Sequence, residues 1–516
     1  MYIEPSTEII ILKDIPLDTT YKHSIYFGSE SSQQNYFKNK KKYHLTKQSY
    51  QRVQKGTMRV NIKAEDLYNC NYLMFRNDNF GNKWFYAFIK SVEYINNVVS
   101  EISFEIDVLQ SWFFDFDFED SFVEREHSTT DKIGDNIVAE PVQTGELILS
   151  DYKKLGSLNW SDLCIVVSVC DTDGDETKGY MYDGVYSGTY LKIFDTSDES
   201  SLTELISKYL QSPDSIVSMY MAPKCLFKGN NDIEKGGELL TYGFNGITEN
   251  FKATKLKGTE TFEGYKPKNN KLYTYPYNYF CIDNANGSTL PLRYEFFENL
   301  QPVISIMGNV TQPVKVIARP CNYKGSPSYD SLVGYTPLNM ETISLESYPN
   351  CSWNVDSFKA WLAQNSVPML LKTGVAMVGT IATGNPMGTL GVVSNNLSAM
   401  YQPSIQADIS RGNTNVGNMN CAKGLQQFYQ CRVHLNKEMA RIIDDFFTMY
   451  GYQTNKVKKP NISSRPHWNY VKTCDCNING SVPCDDMSKL CSIFDNGITL
   501  WKNGSEVGNY SLNNSI

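Results

Sequence analysis

Five histidines, His23, His44, His127, His434 and His467, are the imidazoles of the chain. None stands in a nucleophile elbow or beside a cysteine motif, so they read as core or surface residues rather than general bases. Cys474-x-Cys476, Cys484 and Cys491 form the one cluster among 13 scattered cysteines. Structural zinc sites favour two CxxC-like knuckles. Here a CxC is followed by single cysteines, the last on the apolar stripe of a predicted helix, and buried free thiols are expected. Asp115-Phe-Asp117 has the letters of a metal-binding DxD, but the alternating phenylalanines explain it as strand patterning. Asp171-Thr-Asp-Gly-Asp-Glu176 is acidic like a calcium loop, yet Gly174 falls at the fourth loop position rather than the sixth, and no Glu occupies the twelfth. Walker and Rossmann glycine patterns are absent from the chain. The expectation is no catalytic residue, no metal and no cofactor. Carboxylates paired for glycoside hydrolysis stay open, because such partners stand far apart in a chain.

These residues sit on elements that read mainly as β. Glu8-Ile-Ile-Ile-Leu12 is a strand-length apolar run. Trp84 to Ile89, and then Val98 to Leu109 after a turn at Asn96-Asn97, are predicted strands. In the latter Ile102, Phe104, Ile106 and Val108 alternate with Ser103, Glu105 and Asp107, the period of a half-buried strand. In Phe114-Asp-Phe-Asp-Phe-Glu119 the same period puts phenylalanines on one face and Asp115, Asp117 and Glu119 on the other. A slip of one residue would bury three acids, so the register should be firm. Strands are expected over Leu163–Val169, Val314–Ala318 and Leu425–Leu435. Helices are expected over Asp198–Leu210, with Leu202, Leu205, Ile206 and Leu210 on one side, over Lys437–Tyr450, with Met439, Ile442, Ile443, Phe446 and Phe447 on one stripe, and over Pro483–Phe494. Gly451 and Asn496-Gly497 are placed to stop the last two. Two final strands are predicted around Asn503-Gly504.

Between Lys372 and Asp408 no charged residue appears. Asp356 is placed to cap a helix just before this segment. Val375, Met377, Val378, Ile381, Met387, Leu390, Val392, Val393, Leu397 and Met400 fall inside it, with five glycines from Gly374 to Gly391. Leaving ten such side chains in water would cost on the order of 15–30 kcal/mol. Something must cover them: the protein's own core, neighbouring copies, or a bilayer. A simple spanning helix needs about 20 residues, and Asn385-Pro386 breaks this stretch in the middle.

At 516 residues the chain is too long for one core, which stops growing near roughly 250–300 residues. Hydrophobic residues at 41% and charged residues at 20% describe a folded protein, and 34 Tyr favour strands. The net charge of −8 argues against tight phosphate binding, which needs a basic face. The short basic runs, Lys38 with Lys40 to Lys42 and Lys456 with Lys458 and Lys459, read as solvated surface. With no apolar leader opening the chain, the cysteines read as reduced thiols made in a cytosol.

Several blocks carry a resemblance. Tyr72-Leu-Met-Phe75, Asn82-Lys-Trp-Phe-Tyr-Ala-Phe88, Phe104-Glu-Ile-Asp-Val-Leu-Gln110 and Ser121-Phe-Val-Glu-Arg-Glu-His127 form the first set. Tyr450-Gly-Tyr452, Lys458-Lys-Pro-Asn461, Asn469-Tyr-Val471 and Ile493-Phe-Asp-Asn-Gly-Ile-Thr-Leu-Trp501 form the second. In these strings the chain resembles the tail knob (distal tail tube) proteins of phi-29-like podoviruses. The middle of the chain does not share them.

The resemblance implies a mainly β fold with a few helices, a barrel-like tail-tube domain assembling into a homohexameric ring, and no enzymatic activity. It implies a virion protein at the tail tip, made in the bacterial host cytoplasm. Its partners would be itself, the lower collar or connector proteins, viral DNA in transit without sequence-specific binding, and the host membrane. In the family a hydrophobic loop plugs the lumen and later opens a path through the membrane; residues 373–407 stand at the corresponding place. The expected division is a tube-wall domain over 1–125, a β-rich insertion over 126–350, a helix with the Gly-rich loop over 351–410, and a segment completing the wall over 411–516. Asp115, Asp117 and Glu119 are candidates for an acidic lumen lining. A receptor-binding adhesin and, behind it, a cell-wall hydrolase are the alternative functions.

Overall fold

The run Ile9-Ile-Ile-Leu12 does not alternate, and neither does Tyr72-Leu-Met-Phe75. Both strands are covered on two faces, the condition under which continuous apolar runs are found in sheets. In the computed structural model they lie side by side, Thr7–Lys13 against Cys70–Arg76, inside a six-stranded antiparallel sheet. Its order is Lys41–Gln48, Thr7–Lys13, Cys70–Arg76, Phe85–Asn96, Val99–Ile106 and Thr57–Val60. One face packs Ile9, Ile11, Leu73, Phe75, Ala87, Ile102 and Phe104 with Met58 and Leu67. The other packs Ile10, Leu12, Tyr72, Met74, Tyr86 and Phe88 under Phe37 of the helix Glu30–Asn39.

The structure describes residues 6–48, 56–78, 81–160, 162–169, 181–182, 185–186, 190–208, 216–228, 238–239, 248–309, 314–323, 342–345, 348, 350–352, 427–463 and 467–516. Two units emerge from the contacts. The first takes Met1–Gly145, Thr261–Leu272 and Lys437–Ile516, and the second takes Glu146–Glu260 and Tyr273–Asn436. The first unit therefore includes residues beyond 125, and the chain re-enters it at 261–272 before the C-terminal segment.

The second sheet of the first unit joins the two ends of the chain. Its order is His23–Ile25, Ile498–Trp501, Asn469–Cys474, Ser121–Glu126 and Tyr452–Lys458. Only the first pair runs parallel. The helix Cys484–Asn496 lays Leu490, Ile493 and Phe494 against Val471, Ile498 and Leu500 of this sheet. The predicted helix Lys437–Tyr450 forms over the same bounds, and Gly451 ends it with φ +64°. A Cβ at Gly451 would come within 2.4 Å of the Glu126 backbone, so glycine is required twice over.

Among the described residues the second unit holds three antiparallel sheets and a short hairpin. Leu147–Lys154, Tyr429–Leu435, Asn278–Asp283 and Thr289–Leu292 make the first. The second is built around the predicted strand Leu163–Val169, flanked by Tyr190–Asp195 and Ile216–Pro223. The third holds Thr248–Lys252, Val303–Asn309, Lys315–Pro320 and Ile343–Leu345. The helix Glu199–Lys208 buries Leu202 and Leu205, as its spacing predicts. The mainly β class with a few helices is what the structure shows.

Several local expectations are corrected. The strand predicted to reach Leu109 ends at Ile106, because Asp107 accepts the Gln110 amide and caps the helix Val108–Trp112. Asp107 is thereby buried rather than solvent-facing. On Lys437–Tyr450, Ile442 is 61% exposed while Asp444 is buried. Past Trp501 no second strand forms. Asn514 replaces the ladder there: it accepts from the Lys502 amide at 2.7 Å and donates to the Leu500 carbonyl at 2.7 Å.

Candidate functional site

The acidic stripe holds the register its sequence predicts, over a shorter strand. Phe116–Phe118 pairs with Ile478–Gly480, and Gly480 is needed because a Cβ there would lie 2.1 Å from the Asp115 carbonyl oxygen. Phe116 and Phe118 face inward to Phe494, with ring centroids 6.2 and 4.8 Å apart. Asp117 is exposed. Asp115 is ion-paired with Lys83, whose ammonium sits 3.6 Å from the Trp112 ring centroid. Glu119 lies 3.9 Å from Lys459. Two of the three carboxylates thus carry a cation, which the sequence did not signal, since Lys83 and Lys459 come from other segments.

The uncharged segment 373–407, with Val375, Met377, Val378, Ile381, Met387, Leu390, Val392, Val393 and Leu397, lies outside the described residues. So do the cap at Asp356 and the acidic run Asp171–Glu176. Among the described residues no helix is long and apolar enough to cross a membrane.

The histidines take structural places. His127 is buried, its Nδ1 accepting from the Tyr470 amide at 2.7 Å, so Nε2 carries the proton toward the Phe447 and Thr448 carbonyls. His23 accepts from the Trp501 indole at 3.2 Å, and burial holds its pKa below the usual imidazole value. His44 pairs with Glu8 at 2.7 Å. Of the C-terminal cysteines, Cys476 and Cys491 are half-buried against the core of the helix Cys484–Asn496, and burial pushes the Cys476 thiol up to about 12. Cys474 and Cys484 are exposed. Among the described residues no group of three or more His, Cys, Asp or Glu gathers where a metal could sit.

Sequence reasoning missed two buried carboxylate sites. The Glu140 side chain is fully buried between Arg125 and Lys271 and accepts the Gln453 amide at 2.8 Å. Arg125 also donates to the Gly451 carbonyl at 2.6 Å and lies over the Phe446 ring. Asp444 accepts from the Tyr265 hydroxyl, the Lys268 and Asn269 amides and the Asn269 side chain, at 2.7 to 3.0 Å. These two acids, with Asp131 accepting the Asn270 amide at 3.0 Å, clamp the returning 261–272 stretch into the first unit. No local pattern could have shown them, because apart from Arg125 their partners (Lys271 and Gln453 for Glu140, and Tyr265, Lys268 and Asn269 for Asp444) lie more than a hundred residues away.

Buried ion clusters lock segments together, and open sheet edges carry apolar side chains. Leu147 and Leu149 are exposed on the edge strand Leu147–Lys154. Val457, 71% exposed, stands on another edge strand directly opposite the exposed Phe122.

Comparison with known proteins identifies the family. The family model described as Bacillus phage phi29 tail knob protein gp9, C-terminal domain, matches residues 243–515. The caudoviral major tail protein N-terminus matches residues 5–117. Tail knob protein gp9 of Bacillus phage B103 is 28% identical, covering 99% of this chain and 98% of that protein. Its counterpart in Bacillus phage phi29 is 27% identical over the same shares. The solved tail knob protein gp12 of bacteriophage C1 has the same fold, with a TM-score of 0.62 at 16% identity over 99% of this chain and 100% of that one. The chain belongs to the family of phi29-like tail knob proteins, structural components of the bacteriophage virion tail.

Proposed function

We propose that six copies of the chain close into a ring that forms the distal tail tube, a conduit through which viral DNA leaves the virion, with no enzymatic step. The likeness to tail knob proteins over the whole chain carries this reading. The open edges support it. Lys41–Gln48 and Thr57–Val60 end the six-stranded sheet, and Leu147–Lys154 ends a sheet of the second unit. Edges of this kind invite pairing, and a closed head-to-tail ring covers them without building fibres. The collar or connector of the tail is the partner on which such a ring would seat. Native mass measurement tests the ring: a hexamer, or a monomer that closes on the collar, is expected, and a stable dimer would refute it. Reducing sugars or peptides released from host cell wall by the purified protein would refute the non-enzymatic reading.

The uncharged residues 373–407 are proposed to plug this tube at rest and to enter the host membrane when released. Apolar side chains buried against their copies would then exchange that cover for lipid, in which backbone groups need internal partners. Deleting residues 373–400 should abolish dye release from liposomes and leave the ring intact. Val378→Asp with Ile381→Asp should act alike, since a charge at mid-bilayer costs about 2.5–3.5 kcal/mol on the lenient scale. A deletion variant that no longer folds would make the segment ordinary core. The lumen is proposed to carry more acidic than basic side chains, Asp117 with Asp115 and Glu119 among them, so that phosphates find few cations. A ring structure whose lumen is lined by lysine and arginine would overturn this.

A further inference from the structure

Two cysteines of the second unit face each other across a strand pair. Asn278–Asp283 and Tyr429–Leu435 are the inner strands of their four-stranded sheet, and Cys281 and Cys431 are direct partners in its register. Both are buried, and with Val433 and Tyr279 they make a small cluster of their own. The Cys431 thiol donates to the Cys281 carbonyl at 3.4 Å. Direct cross-strand partners hold their Cβ atoms about 4.5–5.5 Å apart, and a disulfide needs about 3.5–4.5 Å. A Cβ approach of about 1 Å separates such partners from disulfide geometry. The two sulfurs are not equivalent. Interaction with Cys431 holds Cys281 below the usual thiol range, and interaction with Cys281 together with burial drives Cys431 above it. The Cys431 thiol holds its proton on the Cys281 carbonyl at 3.4 Å, whereas the Cys281 thiol reaches the Ile282 carbonyl only at 3.7 Å, so Cys281 is assigned the nucleophile, the thiolate being the form that reacts.

We propose that Cys281 and Cys431 form a dithiol site which a small peroxide converts to an intrachain disulfide once the tail has left the reducing cytosol. Burial admits hydrogen peroxide more readily than a bulky disulfide such as oxidised glutathione. The Cys281 thiolate attacks one peroxide oxygen, the O–O bond breaks, and with one proton the other oxygen leaves as water, giving a sulfenic acid. The Cys431 thiol then attacks that sulfur; its proton and the hydroxyl leave as a second water. Two thiols are oxidised by two electrons, and one peroxide is reduced to two waters. The bond would close a loop of 150 positions whose sequence includes residues 373–407. A cross-link over so long a loop stabilises chiefly by constraining the unfolded chain. The site does not depend on the number of copies in the ring.

The test uses the full-length protein, purified under reductant, desalted, and treated with one equivalent of hydrogen peroxide. Remaining thiols are blocked with N-ethylmaleimide in denaturant, and the digest is read by mass spectrometry. The expected result is a peptide pair joined through Cys281 and Cys431, two hydrogens lighter than the free peptides and separated by dithiothreitol. Melting of the oxidised protein should rise by at least about 3 °C and fall back on reduction. Cys281→Ser should show neither the joined pair nor the rise. The exposed Cys474 and Cys484 serve as internal reference, because they take maleimide before denaturation. Full alkylation of both buried cysteines after peroxide would overturn the proposal. So would a sulfinic acid at Cys281 without a cross-link, or pairing of either residue with another cysteine. The wild-type measurement decides the matter even if the serine variant fails to fold.

Discussion

Glu140→Ala is the sharpest test of what holds the first unit together. The Glu140 side chain is fully buried, and the Lys271 side chain beside it is 2% exposed. Arg125, at 10% side-chain exposure, completes the cluster. Removing the acid leaves two cations in a dry site with partial compensation only. Lys271 keeps the Val138 carbonyl at 2.9 Å and the Tyr452 ring at 5.2 Å, and Arg125 keeps the Gly451 carbonyl. Burial already holds the Lys271 pKa below the ordinary lysine value, with Glu140 opposing that effect. Breaking a buried pair by removing one partner costs about 3–5 kcal/mol. In a unit of this size each kcal/mol moves melting by about 2–4 °C, so a fall of roughly 6–20 °C is expected. Scanning calorimetry of wild type and variant in the same assembly state measures it, because assembly itself shifts apparent stability. Lys271→Met should cost less, since Glu140 then keeps Arg125 and the Gln453 amide. A Glu140→Ala protein that melts within 2 °C of wild type, about the smallest shift one kcal/mol would give, would show that the cluster is hydrated and the reasoning wrong.

Asp107 supplies a pH test. Burial raises its pKa from 3.8 to about 6 against the hydrogen bonds from Tyr72 and the Gln110 amide. A folded pKa above the unfolded one gives stability that is complete below pH 3.8 and is lost as pH rises through about 6. Asp107→Asn keeps the cap and should flatten that decline, gaining on wild type by roughly 2–3 kcal/mol between pH 4 and pH 8; parallel denaturation profiles at the two pH values would refute it. Gly451→Ala meets the Glu126 backbone at 2.4 Å and forces a positive φ on an L side chain, so soluble yield or melting should drop sharply, and an unchanged melt would refute the close approach. Asp444→Ala strands the Lys268 and Asn269 amides and the Tyr265 hydroxyl, at about 1–3 kcal/mol for each buried donor left without a partner. Proteolysis should then cut within 261–272 faster than in wild type, and equal cutting rates would count against the clamp.

Local pattern alone identified much of this protein. Thr7–Lys13, Leu163–Val169 and Lys437–Tyr450 are runs whose period or length names the element. Gly451 and Gly497 end two helices with positive φ, which only their residue type announces in advance. The Phe116–Phe118 strand points its rings inward because one register buries aromatics and the other buries acids. The N- and C-terminal blocks that resemble the tail knob family fall together in the first unit.

Tertiary structure decided where charge could be buried. Asp107, Glu140 and Asp444 read as surface residues by type, yet the first and last are buried and the Glu140 side chain is fully covered. A carboxylate leaves water only when donors and cations converge on it, and here they arrive from Tyr72, Lys271 and Asn269, on separate stretches of chain. The same holds in reverse for Ile442, which lies on the predicted apolar stripe yet faces out. It holds again for Asn514, whose side chain stands in for a strand predicted from its turn. Backbone period is a property of neighbours in sequence, whereas desolvation is a property of everything within a few ångströms, and only the folded chain brings those partners together.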